Sequence, residues 1–262
     1  AHIEAGLRTN SMYSPFPEEI NRRLTSIISR YHFPPTVEAE NFLLNENIKK
    51  EFIEVTGNTV IDSLLSVSSI IDSKDDIYSQ FFFDNYKIDF QNKQTILVTG
   101  HRRESFGDAF EDICKALKII AKRKNLQVIY PVHLNPNVQK PVKSILQNLS
   151  NVYLIPPQDY VPFIFLMKKS FLILTDSGGV QEEAPSLGKP VLVMRNNTER
   201  EEGIKAGTAL LVGTDTNKIV SSVELLLDNE IEYNRMAQAI NPYGEGNASE
   251  KIHRFILNKN QN

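Results

Sequence analysis

The stretch FLILTDSGGVQEEAPSLGKPVLVM, residues 171–194, has the pattern of a strand, a turn, a helix and a second strand. Its first apolar run ends at Asp176-Ser177-Gly178-Gly179, a helix-like stretch follows, and a second apolar run begins at Pro190. Short apolar runs joined by helices are typical of a parallel sheet that is buried on both faces. The stretch therefore predicts a βαβ unit of an α/β fold.

The same alternation extends outward from this unit in both directions. Predicted strands cover residues 95–100, 127–132, 152–156, 171–176, 190–194 and 209–213, with helical patterns between them. Residues 59–250 are therefore predicted to form one doubly wound, Rossmann-like α/β domain. Residues 1–58 are predicted to be the C-terminal part of another Rossmann-like domain, only partly present, and residues 251–262 a terminal helix that packs back on it.

The first 58 residues begin abruptly. Residues 1–5 read as a buried strand, PEEINRRLTSIISRYHF (17–33) as a helix with one apolar face, residues 34–47 as a short helix and EFIEVTGN (51–58) as a strand and turn. A helix follows at 59–72, and YSQFFFDNYKIDFQNK (78–93) interrupts the regular pattern. Because the chain starts inside an element and without Met, we expect an N-terminal segment to be missing from this sequence.

Composition excludes several classes of protein. The 262 residues carry 29 Lys and Arg against 32 Asp and Glu, a net charge of -3, so there is no basic footprint for nucleic acid or an anionic membrane. No apolar run is long enough for a membrane span, and no signal-peptide pattern is present. The single cysteine, Cys114, has apolar neighbours at helical spacing, which predicts a core thiol in a reducing, cytoplasmic compartment.

Three predicted strand ends carry groups that suit an anionic ligand. Ser177, Gly178 and Gly179 could form a backbone cradle for a diphosphate at a helix N-terminus, or only a tight turn capped by Ser177. Glu182 and Glu183 follow along the helix. Their carboxylates could simply interact favourably with the partial positive charge of the helix N-terminus, or could bind the hydroxyls of a ribose.

The other two strand ends supply basic and imidazole groups. TGHRRESFG (99–107) offers His101, Arg102 and Arg103, and TEREEG (198–203) offers Arg200. Such groups bind anionic oxygens or move a proton, although a solvated turn would also account for Arg102 and Arg103. Ligands of open α/β sheets bind at the carboxyl ends of strands, so the three ends together favour a binding site.

A set of motifs resembles one family closely and in the right order over nearly the whole chain. They are HIEAGLRT (2–9), SPFPEEINRRL (14–24), TGNTVIDSL (56–64), ILVTGHRRESFG (96–107), YPVHLNPNV (130–138), LTDSGGVQEEAPSLGKPVLVMR (174–195) and NPYGEG (241–246). They resemble those of the bacterial non-hydrolysing UDP-N-acetylglucosamine 2-epimerases. The resemblance implies two Rossmann-like domains arranged as in B-type glycosyltransferases, with the active site in the cleft between them.

The resemblance also implies an activity and a set of site residues. It implies reversible conversion of UDP-N-acetylglucosamine to UDP-N-acetylmannosamine for cell-surface polysaccharide synthesis, by a homodimer without metal or nicotinamide. The implied catalytic residues are Glu4, Glu18 and His101. The implied UDP-binding residues are Gln158, Phe163, Ser177, Gly178, Gly179, Glu183 and Arg200, and His133 with Arg102 are implied for a regulatory second substrate site.

Three alternatives remain open from the sequence. A hydrolysing epimerase would release free UDP, a retaining glycosyltransferase would need an acceptor, and a UDP-sugar-binding fragment would not turn over. Family members begin with a basic phosphate loop and carry an upstream catalytic aspartate, and neither is present in these 262 residues. We therefore expect residues 1–262 alone to bind UDP but to be inactive, or nearly so.

Overall fold

The computed structural model describes residues 1–13 and 16–260, which form two compact units. The first unit contains residues 1–66 and 241–262, and the second contains residues 67–240. The helix α3 (Thr59–Asp72) begins in the first unit and ends in the second. The division into 1–58, 59–250 and 251–262 stays a prediction from the sequence.

The second unit is built on a parallel sheet, which among the described residues has six strands in the order β5-β4-β3-β6-β7-β8. The strands are β3 (Gln94–Thr99), β4 (Leu126–Pro131), β5 (Val152–Ile155), β6 (Leu172–Thr175), β7 (Val191–Val193) and β8 (Ala209–Leu211). Their register pairs Thr99 with Thr175. The six predicted strands and the doubly wound α/β fold are thus confirmed.

Helices connect and flank these strands, as is typical of parallel sheets that are buried on both faces. The helices are α4 (Asp75–Tyr86), α5 (Asp108–Ile120), α6 (Pro136–Leu146), α7 (Tyr160–Lys169), α8 (Gly178–Glu183), α9 (Glu201–Lys205), α10 (Thr216–Asp228) and α11 (Glu230–Ala237). The main core lies between the sheet and helices such as α5, whose buried face includes Phe110, Leu117 and Cys114. Cys114 is fully buried, which confirms the predicted core thiol, and this burial raises the pKa of the thiol to about 12.

The helix α4 lies where the sequence pattern suggested an irregular segment. Its aromatic residues obscure the helical period, yet Phe82 is fully buried and stacks on Phe165 of α7 at 5.5 Å. Lys87 ends the helix in the left-handed conformation. Tertiary packing of the aromatic rings thus stabilises a helix that the hydrophobic period alone does not predict.

The first unit contains two short parallel strands, β1 (His2–Ile3) and β2 (His32–Phe33), with the helices α1 (Glu18–Ile28), α2 (Val37–Asn45) and α12 (Ala248–Asn260). The strand predicted over residues 1–5 is shorter, because the chain turns at Glu4. In place of a strand over 51–58, the structure has a 3₁₀ turn at Lys50–Phe52 and a single bridge from Ile53 to His32. Phe255 of α12 packs edge-on against Phe33 at 5.4 Å.

The helix predicted over residues 17–33 was too long. It ends at Ile28, Ser29 is extended, and His32 and Phe33 pair with β1. Aromatic residues near Phe33 favour a strand, and this local preference outweighs the continued helical period. On α1 the buried positions are Glu19 and Ser26, whereas Ile27 and Ile28 are largely exposed.

No helix within residues 1–13 and 16–260 is long and apolar enough to cross a membrane.

Candidate functional site

A cavity of about 280 Å³ opens in the second unit at the carboxyl ends of β3 and β6. These strands are neighbours in the sheet but are separated in sequence, and the strand order reverses direction between them. Doubly wound sheets bind their ligands at such a switch point. The cavity is lined by Thr99, Gly100, His101, Pro131, His133, Pro157, Gln158, Phe163, Ser177, Gly179, Val180 and Glu183.

The turn from β6 into α8 forms one wall of this cavity. Ser177 takes the N-cap position with extended backbone, and its N–H donates to Thr175 Oγ1 at 2.9 Å. A Cβ added at Gly179 would meet only the Glu183 carboxylate, at 3.9 Å, among the described atoms within 4 Å. The helix therefore presents a bare backbone surface to the cavity, which allows close approach of an anion.

Gly178 faces the opposite way and packs on a buried arginine. A Cβ at Gly178 would lie 2.6 Å from Cζ of Arg200. The Arg200 side chain donates from Nε to Glu182 Oε1 at 2.8 Å, and its Nη1 donates to Glu199. Arg200 therefore supports the turn from behind, in contact with Gly178, and is not among the groups that line the cavity.

The two glycines predict opposite effects of alanine substitution on stability. Gly178→Ala should lower the free energy of unfolding by about 1–3 kcal/mol, because the held guanidinium has little room to move. Gly179→Ala should leave stability unchanged or slightly higher, because alanine is the better helix former and meets no close neighbour. Urea unfolding of the two variants measures the difference, and an equal loss in both would contradict this packing.

The surroundings of Glu199, which pairs with Arg200, change the pKa of its carboxylate. Burial would raise the pKa of Glu199, but the guanidiniums of Arg200 and Arg195 outweigh it and lower that pKa to about 2. Arg195 donates to the second Glu199 oxygen at 2.9 Å, and Arg102 Nη2 lies 3.9 Å from the first. This cluster of charges fixes the loop after β7 against α8.

The adjacent glutamates of the motif have different surroundings. Glu182 is buried against Arg200, whereas Glu183 lines the cavity and accepts a hydrogen bond from the Tyr160 hydroxyl at 2.8 Å. Burial raises the pKa of Glu183, and the Tyr160 hydrogen bond partly opposes this effect. Glu183 is therefore the member of the pair that is placed to meet a ligand.

Asp176, between the strand and Ser177, organises the facing loop. Its Oδ2 accepts the backbone N–H groups of His101 and Arg102, each at 2.7 Å. Its Oδ1 is 3.6 Å from His101 Nδ1. The His101 and His133 rings, which both line the cavity, stack with their centroids 5.2 Å apart and 14° between their planes.

Gln158 and Phe163 complete the wall on the side of α7. The Gln158 amide donates to the Pro156 carbonyl at 2.7 Å, which fixes the side chain beside the cavity. Phe163, on the first turn of α7, supplies a half-buried aromatic surface. An aromatic ring beside a primary amide suits a flat heterocycle with hydrogen-bonding edges.

Glu4 and Glu18 lie in the first unit. Glu4 has a left-handed backbone (φ 60°) directly after β1, and Glu18 is an exposed residue at the start of α1. Glu19 is fully buried and accepts bonds from the Thr9 N–H at 3.0 Å and from Arg23 Nε at 3.0 Å. Of the two glutamates that begin α1, Glu18 is thus the one accessible to solvent.

The structure brings together seven of the residues singled out from the sequence: His101, His133, Gln158, Phe163, Ser177, Gly179 and Glu183. Gly178, Arg102 and Arg200 adjoin the cavity wall but do not line it. Sequence reasoning missed Asp176 and Tyr160 as site residues. Asp176 is the last residue of the predicted strand 171–176, which was an available signal, whereas nothing in the sequence pairs Tyr160 with Glu183.

Comparison with known proteins agrees with this geometry. The family model for UDP-N-acetylglucosamine 2-epimerase matches residues 1–257. The UDP-N-acetylglucosamine 2-epimerase of Salmonella typhimurium is 56% identical over 252 residues, which cover 96% of this chain and 67% of that protein.

Two solved structures are similar as well. The UDP-GlcNAc 2-epimerase of Neisseria meningitidis bound to UDP-GlcNAc superposes with a TM-score of 0.90 at 47% identity, over 98% of this chain and 69% of that one. S. aureus MnaA in complex with UDP gives a TM-score of 0.89 at 44% identity, over 98% and 69%. With its fold, its cavity and these likenesses, the chain belongs to the UDP-N-acetylglucosamine 2-epimerase family.

Proposed function

We propose that this protein interconverts UDP-N-acetylglucosamine and UDP-N-acetylmannosamine by inverting C2 of the sugar. The observation that carries the proposal is the cavity at the switch point, which is lined by both the bare Gly179 backbone and His101. Relatives with the same fold are named for this reaction, and one has been solved with UDP-GlcNAc.

The cavity supports an assignment for each part of UDP. We propose that the diphosphate lies on Ser177–Gly179, where backbone N–H groups and the positive end of α8 favour negative charge. The ribose hydroxyls then meet Glu183, and the uracil meets Phe163 and Gln158. Arg200 supports this arrangement through Gly178, because its guanidinium is already paired with two carboxylates.

The chemistry determines which groups the reaction needs. The C2–H bond lies next to no carbonyl and becomes acidic only as the C1–O bond to UDP breaks and positive charge builds at C1. The bonding pair of C1–O leaves with UDP, the C2 proton passes to a base, and the C1–C2 double bond of 2-acetamidoglucal forms. Stabilising the departing diphosphate is therefore the main electrostatic task of the site.

Inversion requires proton transfer at both faces of C2. We propose that Glu4 and Glu18 supply the acid and base on the two faces, and that UDP then adds back to C1 as C2 takes a proton from the opposite side. His101 stabilises the diphosphate.

We also propose that the protein is a cytoplasmic homodimer that serves cell-surface polysaccharide synthesis. In this proposal His133 and Arg102 contribute to a second substrate site.

Reaction in heavy water tests this route in the full-length protein. We expect one solvent deuterium at C2 of every epimerised product molecule, because the elimination removes the original proton. Proton NMR of the UDP-linked sugars measures it, with free N-acetylmannosamine monitored in the same spectra. Retention of the original C2 hydrogen would exclude the elimination route, and release of free sugar would indicate the hydrolysing class of epimerase instead.

A further inference from the structure

A buried carboxylate behind the cavity has no role in the reaction described above. We propose that Asp176 is a positioning residue that holds His101 with Nδ1–H toward its own carboxylate and Nε2 toward the cavity. Asp176 thereby makes His101, and not the stacked His133, the cationic member of the pair when a diphosphate is bound. This proposal deepens the proposed function and rests on it for its catalytic consequence.

The hydrogen bonds of Asp176 leave one of its oxygens available. The residue is 2% exposed, and Oδ2 is satisfied by the N–H groups of His101 and Arg102. Oδ1 is buried and has no hydrogen-bond partner among the described residues. His101 Nδ1, at 3.6 Å, lies just beyond hydrogen-bond range. A small rotation of the imidazole brings Nδ1–H onto Oδ1, as unliganded sites often require.

The stacked ring is fixed in the other tautomer. His133 Nδ1 accepts the backbone N–H of Asn135 at 3.1 Å, so its neutral form carries the proton on Nε2. Two parallel imidazolium rings with centroids 5.2 Å apart would repel each other. The pair therefore holds one positive charge more readily than two, and the Asp176 carboxylate lies beside His101 alone.

The other groups around His101 do not compete for this role. The Tyr130 hydroxyl donates to the Gly100 carbonyl at 2.7 Å, and burial raises its pKa far above neutrality, so it stays neutral. The Arg102 guanidinium points to Glu199. Glu183 lines the same cavity and is hydrogen-bonded to Tyr160. Asp176 is thus the negative group in the ion-pair range of His101 Nδ1.

The arrangement has a definite consequence for turnover. As the C1–O bond breaks, the diphosphate gains negative charge, and an imidazolium with Nε2–H directed to it stabilises that charge more strongly than a neutral ring does. No proton needs to be transferred for this effect. Asp176 should therefore contribute more to kcat than to affinity for the intact UDP-sugar, because the added charge on the diphosphate appears only as the C1–O bond breaks.

Replacing Asp176 by Asn tests the proposal in the full-length protein. An amide oxygen still accepts the two loop N–H groups, but the amide NH₂ now faces His101 and forces Nδ1 to become the acceptor. We expect kcat to fall at least about 100-fold, while the KM for UDP-N-acetylglucosamine changes less than about fivefold. Asp215→Asn is the matched control, because Asp215 also accepts a backbone N–H, from Lys218 at an exposed helix N-terminus, and should keep kcat within about twofold.

Nitrogen-15 NMR of the imidazoles measures the tautomer of His101 in the wild-type protein, and this measurement does not require Asp176→Asn to fold. With assignments from His101→Gln and His133→Gln, wild-type His101 should be protonated at Nδ1 without ligand and at both nitrogens with UDP bound. An Nε2–H tautomer of wild-type His101, or an unchanged kcat in Asp176→Asn, would overturn the proposal. If wild-type protein fails to epimerise, the proposed function fails, yet the spectra still decide the role of Asp176.

Discussion

Replacing Gly179 by valine should abolish UDP binding, with at least a 100-fold rise in Kd, equivalent to about 2.7 kcal/mol. The cavity holds only about 280 Å³, and its wall at Gly179 is bare backbone. A branched side chain there would occupy the space of the anion and screen the N–H groups of the α8 N-terminus. Isothermal titration with UDP measures the loss directly.

The fold of the variant is the necessary control for this experiment. Gly179 meets no close neighbour on its cavity side, and valine is no poorer a helix former than glycine, so the variant should keep its stability within about 1 kcal/mol of wild type. Gly178→Ala provides the converse case, because it disturbs Arg200 but adds nothing to the cavity wall. Unchanged UDP affinity in a folded Gly179→Val protein would place the diphosphate elsewhere.

The six strands of the sheet and their ends could be predicted because their physical signal is local. Each buried parallel strand is a short apolar run, and residues such as Asp176 and His101 follow the runs directly. The family resemblance then supplied roles for Gln158 and Phe163, which no spacing rule identifies. The local pattern indicated which residues lie at strand ends, and the structure places three of them, His101, Ser177 and Gly179, around one cavity.

The sequence-based predictions of secondary structure were wrong where tertiary contacts determine the local conformation. Ser29–Phe33 continues a helical period, but Phe33 is better satisfied in a strand beside β1. The α4 segment has too many aromatic residues for a clear period, and its helix depends on the stacking of Phe82 on Phe165. Likewise, the separate environments of Glu182 and Glu183 follow from partners distant in sequence, Arg200 and Tyr160.

The neighbouring glutamates at the start of α1 allow a sharp test of the proposed acid–base residues. Glu18 is exposed, whereas Glu19 is fully buried and bonded to Thr9 and Arg23. Glu18→Gln should therefore reduce kcat of the full-length enzyme by about 10²- to 10⁴-fold, because an amide cannot exchange the C2 proton. Its stability should stay within about 0.5 kcal/mol of wild type, since the side chain is on the surface.

Glu19→Gln should show the reverse pattern, with a large loss of folding stability and little loss of kcat in the folded protein. It weakens charge-assisted hydrogen bonds that a buried carboxylate makes to the loop at Thr9 and to Arg23, which should cost about 1–3 kcal/mol of folding free energy. Residual turnover should then follow the fraction of folded protein. Urea unfolding and NMR assays of both variants, side by side, separate the two roles. If Glu18→Gln retained full turnover while Glu19→Gln lost turnover without losing stability, the buried glutamate would be the acid–base residue and Glu18 only a surface charge at the helix N-terminus.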